Sequence, residues 1–127
     1  MFVGFFTAYL LSDNGYDVWL ANTRGNDYGL HHKTFNLTSK EFWNFSFHEI
    51  GLYDLSAMID YVLDKTNNTQ VYYVGHSQGT TVLFVLLSLR PDYNQKIIQA
   101  HLFSPAAFYS HNQNIYVRSV VGDFEVS

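Results

Sequence analysis

The sequence predicts an α/β fold in which a parallel sheet is covered by helices, and three observations carry that expectation. Short β-branched and aromatic runs alternate with longer segments of helical period, in the order helix, strand, helix, strand, helix, strand. Such alternation is how a parallel sheet with crossover helices is written in sequence. A glycine-flanked serine, in Gly75-His76-Ser77-Gln78-Gly79, joins one of these strands to a helix. The chain of 127 residues is 47% hydrophobic, with 10 Tyr and 11 Phe, which is material for one packed core over residues 1–127 and not for two domains.

The elements follow in order. An apolar run through about Leu11 reads as a helix, ended by the turn signal Asp13-Asn14-Gly15. Tyr16 to Ala21 is β-branched and aromatic and reads as a buried strand. It passes into the loop formers Asn22 to Gly29, where Arg24 either braces the loop by hydrogen bonds or lines a site. His31 to Phe47 has no clean period and is expected to be an ordered loop. From about Glu49 to Lys65, Leu52, Leu55, Met58, Ile59, Val62 and Leu63 follow the i, i+3, i+4 rule, which predicts one amphipathic helix. Asp54, Asp60 and Asp64 fall off its apolar stripe and are expected to be solvated. Thr66 to Thr69 ends it. Val71 to Val74 is a compact strand, Thr80 to Leu89 an almost wholly apolar helix expected to be buried on both sides, and Ile97 to Phe103 a last strand before Ser104-Pro105. Three strands leave sheet edges and helix faces to be covered.

The chemistry concentrates at Ser77. A G-x-S-x-G match arises by chance in roughly a few per cent of chains of this length at average glycine and serine usage. Here it also sits between a strand and a helix, which is the context of a nucleophile elbow. The turn is so tight that the serine backbone is expected to be strained and the flanking positions to have no room for side chains. The hydroxyl then projects at a helix start, where unpaired backbone N–H groups favour negative charge. Ser77 is therefore the candidate nucleophile. The backbone N–H of Gln78 is the candidate donor to the oxyanion formed when an ester carbonyl is attacked.

A serine nucleophile needs a histidine base held by a carboxylate, and after a nucleophile elbow of this kind they follow the serine in the order acid, then histidine. After Ser77 the chain offers Asp92, Asp123 and Glu125, with His101 and His111. Asp92 lies at the far end of the following helix, roughly 15–20 Å away at 1.5 Å per residue. Asp123 and Glu125 follow both histidines, His101 falls in a strand, and His111 has no acid shortly before it. The triad acid and base are thus expected to lie outside this chain.

Other chemistries are excluded or weak. There are no cysteines, so disulfides and thiolate metal sites are excluded. His48-Glu49 begins like a zinc-binding H-E-x-x-H, but Leu52 stands at the last position; no metal and no cofactor are expected. The net charge of −4 with no basic cluster speaks against a nucleic-acid partner. No segment is long enough for a transmembrane helix, and the apolar start lacks the basic region of a signal peptide. Asn36-Leu-Thr38, Asn44-Phe-Ser46 and Asn67-Asn-Thr69 fit the N-glycosylation sequon and lean toward a secretory-pathway protein.

The blocks Leu10 to Asn26, Phe42 to Leu55, Tyr72 to Thr81 and Arg90 to Asn94 together resemble the acid lipase family of α/β-hydrolases, over about Ala8 to Ser110. The resemblance implies a partial α/β-hydrolase fold, incomplete in this chain, and hydrolysis of triacylglycerols or sterol esters. It implies Ser77 as nucleophile, Gln78 in the oxyanion hole, a lipid ester substrate met at a transient lipid interface, and a secreted or lysosomal glycoprotein. Family members carry a histidine-glycine oxyanion segment before the matched region and a lid, aspartate and histidine after it. Met1 to Thr7 and Asn112 to Ser127 do not resemble the family, which implies a partial gene model, a truncated splice form or a decayed copy. Two alternatives stay open: a remnant without hydrolase activity, and an esterase for soluble esters.

Overall fold

The computed structural model describes residues 3–108. The chain runs through α1 (Val3–Asp13), a long loop, α2 (Phe47–Glu49), a π-helical turn (Ile50–Leu55) and α3 (Ser56–Thr66). It continues through β1 (Val71–His76), α4 (Gln78–Leu89), a 3₁₀ segment (Pro91–Lys96) and β2 (Ile97–Phe103). β1 and β2 pair in parallel, from Val71 opposite Ile97 to His76 opposite Phe103, with one irregularity after Val71. The crossover between them is α4, the arrangement a parallel pair requires. It is a small α/β unit of two parallel strands with their helices.

The core lies on one face of this pair. Ile50, Leu55 and Ile59 from the π turn and α3 meet Val82, Leu83 and Leu86 of α4, with Tyr93 of the 3₁₀ segment fully buried among them. Strand periodicity sends Val71 and Tyr73, and Ala100 and Leu102, to the same cluster, and the irregularity near the start of the pair lets Ile97 join them. Their neighbours Tyr72, Val74 and Phe103 are exposed. So β1 is half-buried and not enclosed on both faces.

The long helix expected over Glu49 to Lys65 is present as a continuous helical run from Phe47 to Thr66, with a π turn inside it. Its start is fixed by a capping box: the Ser46 hydroxyl accepts from the His48 N–H, and the Glu49 carboxylate accepts from the Ser46 N–H at 2.7 Å. That S-x-x-E signature was present in the sequence. The π turn that follows packs Gly51 directly on α4. A Cβ there would stand 2.7 Å from the Val82 carbonyl oxygen and 2.9 Å from the Val85 side chain, so only glycine permits this approach. Ile50, Gly51 and Leu55 of this turn are all buried. α3 ends at Asn67, whose left-handed backbone (φ 53°) turns the chain toward β1.

Other expectations change as well. Tyr16 to Ala21 is not a strand. A strand is held by its neighbour's ladder, and among the described residues β1 and β2 pair only with each other. Trp19 instead meets Tyr61 of α3 edge-on at 5.9 Å, with its indole N–H donating to Asp17. α4 is buried along one side, at Thr80, Val82, Leu83 and Leu86, while Phe84 and Leu89 are exposed.

Of the aspartates expected to be solvated, Asp54 is partly buried and braces a loop, while Asp60 is exposed and still takes two donors. Asp54, on the π turn, accepts both the Arg24 guanidinium (2.6–3.0 Å) and the Arg24 backbone N–H (2.9 Å). The guanidinium also lies between the Phe45 and Tyr53 rings. The hydrogen bonds to Asp54 raise the Arg24 pKa above its ordinary value. Asp60 of α3 takes the Lys96 ammonium and the Tyr93 hydroxyl, each at 2.6 Å. Burial opposes its ionisation, but the two donors prevail and its pKa is lowered. Asp64 stays exposed, 3.8 Å from Lys65.

Candidate active site

The site is built where β1 gives way to α4. Ser77 has φ 53° and ψ −116°, a conformation a non-glycine residue adopts only when its surroundings impose it. They do so on both sides. The Ser77 N–H donates to the Phe103 carbonyl at the end of β2 (3.0 Å). The Ser77 carbonyl accepts from the N–H of Thr80 (2.9 Å) and from its hydroxyl (2.7 Å). The elbow is thereby tied to the neighbouring strand and to the first turn of its own helix.

Tyr73 supports the turn from beneath. It lies two residues before Gly75 on β1, hence on the same face, and its hydroxyl donates to the Gly79 carbonyl at 2.7 Å. Burial pushes its pKa up to about 12, so the phenol keeps its proton and remains a donor. A Cβ at Gly75 would be 2.7 Å from this ring and 3.1 Å from the Gly79 backbone, so the flanking glycine is sterically required there. At Gly79 the expectation fails: the nearest atom to an added Cβ is the Tyr73 hydroxyl at 3.7 Å, an ordinary contact. The helix has already turned away from the strand at that point.

Gln78 opens α4, where the first backbone N–H groups have no acceptor within the helix. Its side chain is exposed and Ser77 is half-buried, so the two candidate groups stand together at the sheet edge. The structure does not bring a base to them. Among the described residues, no histidine is hydrogen-bonded to the Ser77 hydroxyl. His32 Nδ1 accepts from the Thr34 and Phe35 N–H groups within its own loop, and His101 lies exposed on β2, opposite Val74. Asp92 sits past the far end of α4 beside Arg90 (3.6 Å), about 18 Å along the 12-residue helix at 1.5 Å per residue. His111, Asp123 and Glu125 lie outside the described residues.

Arg24 belongs to the bracing of its loop, not to a site surface. Asn36, Asn44 and Asn67 are all exposed. The Asn36 side-chain oxygen accepts from the Thr38 N–H and hydroxyl, each at 3.1 Å. Ser46, the third residue of the second sequon, is the cap of α2, and Asn67 is the cap of α3. No group of His, Asp and Glu that could hold a metal ion occurs among the described residues. No helix there is long and apolar enough to cross a membrane. Sequence reasoning missed Tyr73, Thr80 and Thr81. Their signal was a tyrosine two residues before the first glycine and a β-branched hydroxyl pair in the first turn of an otherwise apolar helix.

The comparisons with known proteins agree with this geometry. The family model described as alpha/beta hydrolase fold matches residues 1–126. Lipase 3 of Drosophila melanogaster is 55% identical over 112 residues, which are 88% of this chain and 28% of that protein. Lipase 1 of the same organism is 47% identical over 114 residues, 89% of this chain and 26% of that protein. The human lysosomal acid lipase/cholesteryl ester hydrolase is 46% identical over 99 residues, 78% of this chain and 25% of that protein. The chain thus spans about a quarter of the length of the relatives it matches. With the elbow geometry, this match over nearly the whole chain places it in the α/β-hydrolase fold family, among insect and lysosomal acid lipases.

Proposed function

We propose that this chain carries the nucleophile segment of a lipase acting on triacylglycerols or sterol esters. The single observation that carries the reading is the strained backbone of Ser77 (φ 53°, ψ −116°) between a parallel strand and a helix start. In this reading the Ser77 hydroxyl oxygen adds to the ester carbonyl carbon and its proton passes to an imidazole base from outside the described residues. The Gln78 N–H donates to the resulting oxyanion. The alcohol leaves with the proton, and water hydrolyses the acyl-serine in a second step of the same kind. The names of the relatives support the lipid ester substrate, which would be met at a lipid interface. The lysosomal acid lipase among them supports a lysosomal location, and in a secreted or lysosomal protein Asn36, Asn44 and Asn67 would be the glycan acceptors.

The placement of the described histidines favours a second reading, a segment that is inert as it stands because nothing withdraws the serine proton. Labelling with a fluorophosphonate probe decides between them. Covalent labelling that is abolished by Ser77→Ala supports the hydrolase. A folded chain that labels no faster than Ser77→Ala supports the inert reading. If the chain hydrolyses esters, higher rates on long-chain than on short-chain esters separate a lipase from an esterase for soluble substrates.

A further inference from the structure

Thr80 is fully buried at the start of an apolar helix, and its hydroxyl both donates and accepts a hydrogen bond. The proton goes to the Ser77 carbonyl at 2.7 Å, and a lone pair accepts the Ala106 N–H at 2.8 Å. The second bond fixes the first: with the Ala106 N–H on the oxygen, the hydroxyl proton is turned toward Ser77. The Ser77 carbonyl therefore receives two donors from one residue, since the Thr80 N–H reaches it as well. A peptide unit is planar, and in the trans form its C=O and N–H point in opposite directions. No cis peptide bond occurs among the described residues. Pinning the Ser77 carbonyl therefore sets the direction of the Gln78 N–H, the group placed in the oxyanion hole above. The hydroxyl of Thr81 next to it donates to the Ala106 carbonyl at 2.6 Å and makes no hydrogen bond to Ser77.

We infer that Thr80 is a positioning residue for the oxyanion hole: its buried hydroxyl holds the Ser77–Gln78 peptide plane and docks the segment after β2 against the elbow. The inference rests on Ser77 and Gln78 having the roles proposed above, yet its structural half can be read without catalysis. Thr80→Val keeps the shape and removes the hydroxyl, Thr80→Ser restores it, and Thr81→Val removes the neighbouring strap only.

Amide ¹⁵N–¹H spectra and hydrogen exchange of the chain are recorded for each variant, together with the fluorophosphonate labelling rate of Ser77. Thr80→Val is expected to shift the Gln78 amide resonance and to slow labelling by about 10-fold or more, as loss of an oxyanion donor does. Thr80→Ser should stay close to the parent, and Thr81→Val should deprotect the Ala106 region without moving Gln78. An unmoved Gln78 resonance in Thr80→Val, or equal shifts in Thr80→Val and Thr81→Val, overturns the inference. If Thr80→Val does not fold, the parent chain decides. A slowly exchanging Thr80 hydroxyl proton with contacts to Ser77 and Ala106 supports the inference, and a rapidly exchanging one overturns it. If the parent chain does not label, the proposed function fails, while the amide data still decide the peptide-plane claim.

Discussion

The two glycines that flank Ser77 should differ sharply when replaced by alanine, although the motif treats them alike. A Cβ at Gly75 would sit 2.7 Å from the Tyr73 ring and 3.1 Å from the carbonyl carbon and oxygen of Gly79. Comfortable carbon contacts lie at about 3.5–4.0 Å, so the overlap approaches an ångström. Tyr73 cannot yield freely, because its hydroxyl is held on the Gly79 carbonyl at 2.7 Å. Overpacking of this kind costs about 1–3 kcal/mol, and losing the tyrosine hydrogen bond adds about 1 kcal/mol. Gly75→Ala is therefore expected to lose about 2–4 kcal/mol, a fall in Tm on the order of 10 °C.

At Gly79 the added Cβ finds its nearest neighbour at 3.7 Å. Alanine also favours the helix by up to about 1 kcal/mol, so Gly79→Ala should be neutral or slightly stabilising. Urea unfolding followed by tryptophan fluorescence, with m-values compared, measures both. A coupling test sharpens the cause: in a Tyr73→Phe background the ring is released from its anchor, and the cost of Gly75→Ala should shrink by about 1 kcal/mol. Equal destabilisation by the two alanines, or a Gly75→Ala cost independent of Tyr73, would refute the steric account.

Two further outcomes follow from the anchors outside the elbow. Arg24→Lys keeps the charge but loses the fork that grips both Asp54 oxygens, and should destabilise by about 1–2 kcal/mol in the same assay. Recovery of full stability by lysine would show that charge alone suffices. The Ser46 backbone N–H holds the Glu49 pKa below its ordinary 4.5, and the Lys96 and Tyr93 donors outweigh burial to lower that of Asp60. A lowered folded-state pKa means that the stabilisation is present above the unfolded value and is lost as pH falls through the folded one. Stability should thus drop below about pH 4.5, and Glu49→Gln should flatten that part of the profile. An unchanged slope in Glu49→Gln would place the acid sensitivity elsewhere.

What the sequence disclosed and what it withheld divide along physical lines. The elbow was legible because one local turn demands serine, glycine and a strand-to-helix change within a few residues. The ends of β2 and α3 were legible for the same reason, since Ser104-Pro105 and Thr66 to Thr69 act through their own backbone. Tyr16 to Ala21 misled because a β-branched run reports compatibility with a sheet, whereas a strand exists only beside another strand. The π turn was hidden because Gly51 needs its place only when α4 lies on it, a contact between segments thirty residues apart on the order of a full crossover unit. Asp54 looked solvated for the same reason, since helical period gives the face a residue occupies but not the Arg24 that meets it. Thr80 joins both classes: its bond to the Ser77 carbonyl is local, but its bond to Ala106 closes a loop through β2. The local half explains a hydroxyl at that position. The distant half explains its complete burial, and only together do they fix the plane of the peptide that follows the serine.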